Sequence, residues 1–573
     1  MVKKLLQKKI LMHQIGLISK PSNLSIFQSF NFLINLLFSV LCSLFINYSS
    51  AQNLNLGEIH GNFQTDVQFY NPDSAIGAAP VPQKMLENSF LNVVYTNGKF
   101  SAGLRYESYL NVMQGFDPRY KGNGLPYRFA SFKNEKLEVT VGNFYEQFGT
   151  GMIFRTYENW GLGYDNSLEG IKIKLTPHKG ITLKGVIGKQ RYFFDYGDGI
   201  VRGADGEINL NETFVKLAEK KTQIILGGSF VSKYQADNDP IYILPENVGA
   251  MAGRLNIIRG KINFYSEYAY KINDPSTINS FIYKPGQSLL VQTSYSQKGL
   301  GITLAAKRID NMSFKSDRTA TGIFLDINYL SSLTRQQTYN LASMYSYATQ
   351  ANGEMGLMGE IMYKIKKDSK LGGKYGMLIT FNYSRTNELN KTLLPDSTYM
   401  GYESNFFKVG KETYSQECNL EINKKFSSKV KATFAYLYQE YNKAVVQSAA
   451  NVGIIYSHIG ILDLSYKIND ENTIRTELQH LYTKQDNGSW AMGLLEYTIA
   501  PNYFAAVSDL YNYGNENEDK RLHYYSISAG YMKDALRISL SYGRQRAGVF
   551  CVGGVCRNVP ASNGLLVTIT DSF

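Results

Sequence analysis

From Gly564 to the last residue the chain reads GLLVTITDSF. Leu565, Val567, Ile569 and Phe573 share one parity, and Thr568, Thr570 and Ser572 share the other. Leu566 and Asp571 break the alternation. A strand side chain changes face at every residue, so such a segment has one apolar and one hydroxyl-lined face. The pattern recurs along the chain. Ile59, Phe63, Val67 and Phe69 oppose His60, Asn62, Gln64, Asp66 and Gln68. Phe100, Ala102, Leu104 and Tyr106 oppose Ser101, Arg105 and Glu107. Leu536, Ile538, Leu540 and Tyr542 oppose Arg537, Ser539 and Ser541. No stretch of helical periodicity competes with this, which predicts an all-β chain.

Tight polar turns punctuate the strands near 96–99, 133–136, 176–180, 211–221, 258–261, 296–299, 366–374, 423–429, 469–473, 500–503 and 532–535. Longer, less regular segments lie between them at 111–125, 149–165, 236–245, 312–351, 387–411 and 550–563. Short and long connections alternate, as in transmembrane antiparallel barrels of the outer-membrane type. Eleven tight turns join 22 strands, and the first and last strands bring the expectation to about 24, within a range of 22–26. Tyr (43) and Phe (31) far outnumber Trp (2), which suits aromatic girdles at two membrane interfaces. Scarce Pro (14) and plentiful Gly (50) suit many strands and tight turns. The alternative, a soluble two-sheet protein, would have to grow to roughly 520 residues without a domain boundary.

The amino terminus reads as a targeting segment. Lys3, Lys4, Lys8, Lys9 and Lys20 precede an apolar run at 32–46, and Ser49-Ser50-Ala51 fits cleavage before Gln52. The start codon is Met1 or Met12. A lipoprotein reading of Cys42 is disfavoured, because Leu41 before it is not small. Residues 1–51 are thus expected to be a signal peptide and 52–573 a single barrel domain. The formal charge of +12 includes five leader lysines and no leader acid, leaving +7. No basic run with interleaved aromatics appears, so no nucleic-acid partner is expected.

About 24 strands tilted by about 40° would enclose a diameter near ~48 Å, too wide to leave open. The first strand begins too soon after Gln52 for a separate plug domain. Loops should therefore occlude the lumen, unless the barrel is flattened. The segment 312–351 is the first candidate, because Ile323, Phe324, Leu325, Ile327, Tyr329 and Leu330 are too apolar for a loop in water. The segment 149–165 is the second, either as a packed cap or as a constriction lined by Arg155 and Glu158.

Charges at mid-bilayer cost roughly 2–4 kcal/mol on the lipid face, so mid-strand charges should point inward. This assigns Arg105, Glu107, Glu138, Glu267, Lys307, Arg475, Glu477 and Arg537 to the lumen wall, as a lining for sugar-like or mixed solutes or as charges that satisfy one another. Arg544 and Arg546 continue the outward row of Tyr542. With Arg557 they are expected at the headgroups, contacting lipopolysaccharide phosphates, unless a bulge near Gly543 turns them inward. Cys551 and Cys556 read as a local disulfide, with Cys418 left over as a wall residue. His60, His178, His458, His480 and His523 lie at no metal or triad spacing. No enzyme activity, cofactor or metal is expected.

Three stretches resemble a family of outer-membrane barrels of Bacteroidota that has no assigned activity. They are GNFYEQFGTGMIFRTYENWGLGYDNSLEG at 142–170, KRIDNMSF at 307–314 and GRQRAGVFCVGGVCRNVPAS at 543–562. The aromatic carboxyl-terminal strand also resembles the closing strand of such barrels. The resemblance implies the fold and an outer-membrane location in a Gram-negative bacterium, and no substrate. The expected function is porin- or transporter-like passage or binding of a solute. The alternative is a scaffold docking a surface lipoprotein or a secretion assembly.

Overall fold

The computed structural model describes residues 56–573; the expected signal peptide lies outside them. Twenty-four antiparallel strands form one sheet in which each strand pairs with its sequence neighbours. The first strand, Glu58–Tyr70, pairs with the last, Ser562–Ser572, in the register Gln64↔Thr570, Val67↔Val567 and Tyr70↔Gly564. That pairing closes the barrel, and closure removes the unpaired edges that an open sheet would expose. Among the described residues no helix is long and apolar enough to cross a membrane.

The alternation sets the two faces. Leu104, Val141, Met251, Leu304, Ile527 and Leu540 are exposed apolar side chains on the outside. Inward neighbours such as Val231, Val248, Ala250 and Ala269 are wholly covered, at 0% exposure. A one-residue slip would exchange these sets, so the lipid band fixes the register.

All eleven expected tight turns join strands at one end of the barrel, as between Met85–Asn97 and Phe100–Tyr109. Gly98 there takes φ 57°, a left-handed conformation in which a side chain would be strained. At the other end the expected loop 387–411 is largely strand. Met377–Leu393 and Tyr402–Lys425 run on as a long hairpin, with register shifts between Thr386 and Lys391. Beyond the lipid band no apolar face is needed, so no alternation marked this hairpin. Further loops at 71–84, 272–285, 443–453, 483–489 and 512–522 were hidden for the same reason.

Two loops turn inward and fill much of the lumen. Residues 145–167 bring Phe148, Met152, Ile153 and Phe154 into an apolar core with Met312, Phe314 and Ile327 and with the small inward residues of one wall. Further along the second loop, Leu341, Ala342, Met344 and Tyr345 pack on Leu437, Tyr441, Ile455, Ile459 and Leu481 of another wall sector. Apolar burial on both sides holds the filling in place.

Candidate functional site

The first loop is locked to the wall by a buried ion network. Arg191 donates to Glu107 at 2.5 Å and to Asp165 at 2.7 Å. Arg105 donates to Asp165 at 3.0 Å and also binds Glu158. Tyr145 Oη donates to Glu158 at 2.8 Å and to Asp165 at 3.0 Å. Burial acts to raise the Asp165 carboxyl, but Arg191 and Arg105 hold it below its usual value. For Glu158 burial prevails over Arg105 and its carboxyl lies above its usual value. Glu158 is thus a member of a structural network and is engaged by Arg105 and Tyr145. Among the described residues Arg155 has no carboxylate partner. Its guanidinium lies 4.1 Å from the centroid of Tyr329 and 4.4 Å from that of Tyr157, and its backbone N–H donates to Ile327 O at 2.8 Å.

The second loop crosses the lumen. Arg335 binds Glu421 at 2.6 Å, Gln337 donates to Asn419 at 2.9 Å, and the Leu341 N–H donates to Gln479 at 2.8 Å. Tyr339 Oη donates to Asp463 at 3.3 Å. Glu421 and Asp463 each sit four residues before the end of their strands, Tyr402–Lys425 and Ile454–Lys467. At about 3.3 Å per residue the loop tip comes within roughly 13 Å of the tight-turn rim.

The remaining inward charges are mostly neutralised. Glu138 binds Lys172 at 3.0 Å, and Lys307 binds Glu354 at 2.6 Å. Glu267 accepts from Tyr265 Oη at 2.6 Å and from the Thr150 N–H at 2.8 Å. Arg475 binds Asp463 at 2.9 Å and also contacts Glu477. Arg537 is exposed over the Phe504 ring at 5.6 Å.

One wall sector escapes the filling. Along Tyr503–Tyr511, His523–Lys533, Leu536–Gln545, Ser562–Ser572 and Glu58–Tyr70 the inward row carries Ser508, Ser526, Ser528, Ser539, Ser541, Thr568, Thr570 and Gln64. These stay half-exposed, whereas inward residues on the filled walls are buried. A cavity of about 470 Å³ lies at the loop end of this sector, lined in part by Ser508, Ser526, Ser541 and Gly543. A second, of about 490 Å³, lies among the loops, with Tyr157, Tyr329, Asn328, Gln350 and Asn352 in its lining. A third, of about 440 Å³, adjoins Trp490, Tyr345 and Asp486. All three are of ligand-pocket size.

A short hairpin, Gly548–Val552 with Val555–Val559, lies against all three cavities through Val549. Cys551 and Cys556 are joined by a disulfide across its tip, and Cys418 is free. The hairpin rests on the second loop: Tyr329 Oη donates to Gly553 O at 2.8 Å, and Gln336 donates to Cys551 O at 3.1 Å. This placement corrects the expectation for two arginines. Arg557 donates to Gly161 O at 2.8 Å and lies over Phe116 at 4.3 Å, inside the loop assembly. Arg546 lines the first and third of these cavities, of about 470 and 440 Å³, beside Tyr524. The strand Leu536–Gln545 ends before Arg546, so the outward parity no longer binds it. Arg544 stays on the ladder, but its Nε donates to Asp73 at 2.7 Å, which also accepts from Asn563 at 3.1 Å. It ties the loop 71–84 to the barrel seam.

Spacing in the sequence missed other groupings. His523 and Asp509 are bonded at 2.6 Å on the outer face, with the Tyr511 ring stacked 4.0 Å from the His523 ring. Among the described residues no hydroxyl or thiol is bonded to the His523 ring. Lys233, Lys271 and Arg318 gather round Asp274, with Lys233 at 2.7 Å and Arg318 at 3.2 Å. Among the described residues no cluster of His, Cys, Asp and Glu is suited to hold a metal ion.

Residues 30–573 match the model of a family of unknown function (DUF6029), and the chain belongs to that family. No curated protein is matched by the sequence. Among solved structures, the chain is similar to the translocation pore of the P pilus usher PapC. Identity is 8% over 90% of this chain and 99% of that one, with a TM-score of 0.42. It is also similar to a ferric enterobactin receptor, PfeA, of Pseudomonas aeruginosa (10%, 90% and 81%, TM-score 0.41). The copper transporter OprC matches at 9% over 91% of this chain and 82% of that one, with a TM-score of 0.37. Superpositions this loose leave the fold resting on the closed sheet described above.

Proposed function

We propose that this member of the DUF6029 family is an outer-membrane barrel that binds and passes a small polar solute along one side of a loop-filled lumen. The observation that carries this is the hydroxyl-lined sector. Its half-exposed serines and threonines run from the cavity of about 470 Å³ toward Arg537, near the tight-turn rim. A barrel that served only as a wall would gain by covering this strip with apolar residues, as its other sectors are covered. Short hydroxyls offer solvent and solute donors and acceptors without blocking the path.

Planar-bilayer recording of the purified chain tests the reading. Small, steady unit conductance is expected. Removing the loop tip 333–341 should raise it several-fold while the barrel still migrates as a heat-modifiable species. A folded wild-type barrel that carries no current, with a tip-deleted form that carries none either, refutes passage.

One observation favours a second reading, a scaffold for a surface lipoprotein. At the loop end Ile241, Ile243, Leu393 and Phe407 are each at least 80% exposed. A crown this apolar in water is characteristic of an interaction surface. A stoichiometric partner that is recovered from detergent extracts and lost on Phe407→Ser and Leu393→Ser would support it.

A further inference from the structure

The buried and half-buried arginines differ in whether they meet a carboxylate. Arg105, Arg191, Arg254, Arg308, Arg318 and Arg544 each bind a carboxylate. Among the described residues, Arg546 and Arg557, which flank the stapled hairpin, bind none; nor does Arg155, whose guanidinium instead lies over the rings of Tyr329 and Tyr157. Arg546 Nη1 donates only to the carbonyl of Ala547, at 3.1 Å. The acid nearest in influence, Asp486, is bonded to Lys443 at 2.7 Å. Arg557 spends its Nε on Gly161 O, and its Nη1 is buried without a hydrogen-bond partner. Burial lowers the pKa of both guanidiniums; Asp486 opposes this for Arg546 only in part, and no acid opposes it for Arg557.

The two stand in successive compartments. Arg557 lines the cavity of about 490 Å³, where Lys315 is matched by Asp326 at 2.6 Å and leaves Arg557 as the surplus charge. Thr349 Oγ1 and Asn352 Oδ1 of the same cavity also lack partners. Arg546 lines the two cavities on the other side, one of which also holds Lys443 and Lys520 against Asp486 alone.

We propose that Arg557 and Arg546 are two stations for a small anionic solute, one bearing a carboxylate or phosphate group, on either side of the Cys551–Cys556 hairpin. The planar guanidinium fork binds either group through two N–H donors. The unpartnered hydroxyl and amide oxygens beside Arg557 would accept hydrogen bonds from the solute's own hydroxyls. This rests on the reading that a solute enters the lumen, and it names the charge of that solute.

The only two tryptophans report on the two stations. Trp490 lines the third cavity with Arg546, and Trp160 precedes Gly161, whose carbonyl holds Arg557. Tryptophan emission of the full mature chain in detergent should change saturably with pyrophosphate, and with citrate, against sodium chloride of equal ionic strength. The half-saturating concentration should rise at least tenfold in R546Q/R557Q and by much less in R546K/R557K. No saturable change, or the same curve in R546Q/R557Q with folding shown by heat-modifiable migration, overturns the proposal. A response to lipopolysaccharide micelles with none to either free anion would return the arginines to the lipid boundary and also overturn it. Failure of passage shows separately as absence of current, because binding is read without it.

Discussion

Arg191→Met should undock the first lumen loop and leave the barrel standing. The wild-type guanidinium bridges Glu107 at 2.5 Å and Asp165 at 2.7 Å, and the Glu107 side chain is 0% exposed. Without Arg191, Glu107 keeps the Tyr109 hydroxyl at 3.2 Å and a distant contact with Arg105 at 3.6 Å but no close cation, and Asp165 keeps Arg105 at 3.0 Å. Removing one partner of a buried pair costs about 3–5 kcal/mol, chiefly because the other charge is stranded. The strand bearing Glu107 is held by the wall on both sides, so the cost falls on the weaker element, the loop. At about 1.4 kcal/mol per decade, the open population of 145–167 should rise by roughly two to three and a half orders of magnitude. Hydrogen exchange followed by mass spectrometry reads this directly. The Arg155 amide is bonded to Ile327 O at 2.8 Å and the Tyr157 amide to Asn166 Oδ1 at 2.7 Å, so both are sensitive probes. Peptides from the wall strands should be unchanged. The double variant E107Q/R191M strands no carboxylate at Glu107 and should recover much of the protection. Loop protection within twofold of wild type in R191M would refute the reasoning, as would equal loss in the single and double variants.

The same loop should show a two-signed pH response. Glu158 is raised, so its protonation relieves a burial cost, and loop protection, corrected for intrinsic exchange, should grow as pH falls from neutral toward about 4.5. Asp165 is depressed, so its stabilisation is present above about 3.9 and lost as pH falls below that; a monotonic profile would contradict one of the two assignments. Deleting Phe573 should lower the amount of heat-modifiable, membrane-inserted protein. The residue exchanges backbone hydrogen bonds with Gly61 at 2.8 and 3.0 Å, and its ring lies where a Cβ on Gly61 would be, 2.8 Å from that position. Normal insertion of the truncated chain would count against its role at the seam. Replacing Cys551 and Cys556 with serine should cost the hairpin about 2 kcal/mol of constraint, seen as faster proteolytic nicking at 548–559 with barrel melting unchanged; nicking at the wild-type rate would mean that packing on the second loop suffices.

The wall was legible in the sequence because a membrane imposes a local rule. Each strand must turn apolar residues outward, so parity alone sent Arg105, Glu107, Glu138, Glu267, Lys307, Arg475, Glu477 and Arg537 inward. The tight turns pointed to about 24 strands, within 22–26, and the sheet has 24. The apolar content of 312–351 likewise announced a segment that could not stay in water. Parity fails where the ladder slips or ends. Arg191 has the parity of the lipid-facing Ile187, but the register shifts between Lys189 and Arg191 against Ile200 and Tyr196, and the side chain meets Glu107 inside. Arg546 lies one residue beyond its strand, and the outward expectation for it was wrong for that reason.

The sequence by itself determined that this chain closes into a barrel with a filled lumen, because alternation, turn spacing and misplaced apolar loops are each properties of neighbouring residues. Only the tertiary structure decided which wall the filling covers, which arginines find a carboxylate, and that a hydroxyl-lined strip is left uncovered. Those outcomes depend on residues far apart in the chain, such as Arg557 and Gly161 or Tyr339 and Asp463, and no local pattern encodes such a meeting.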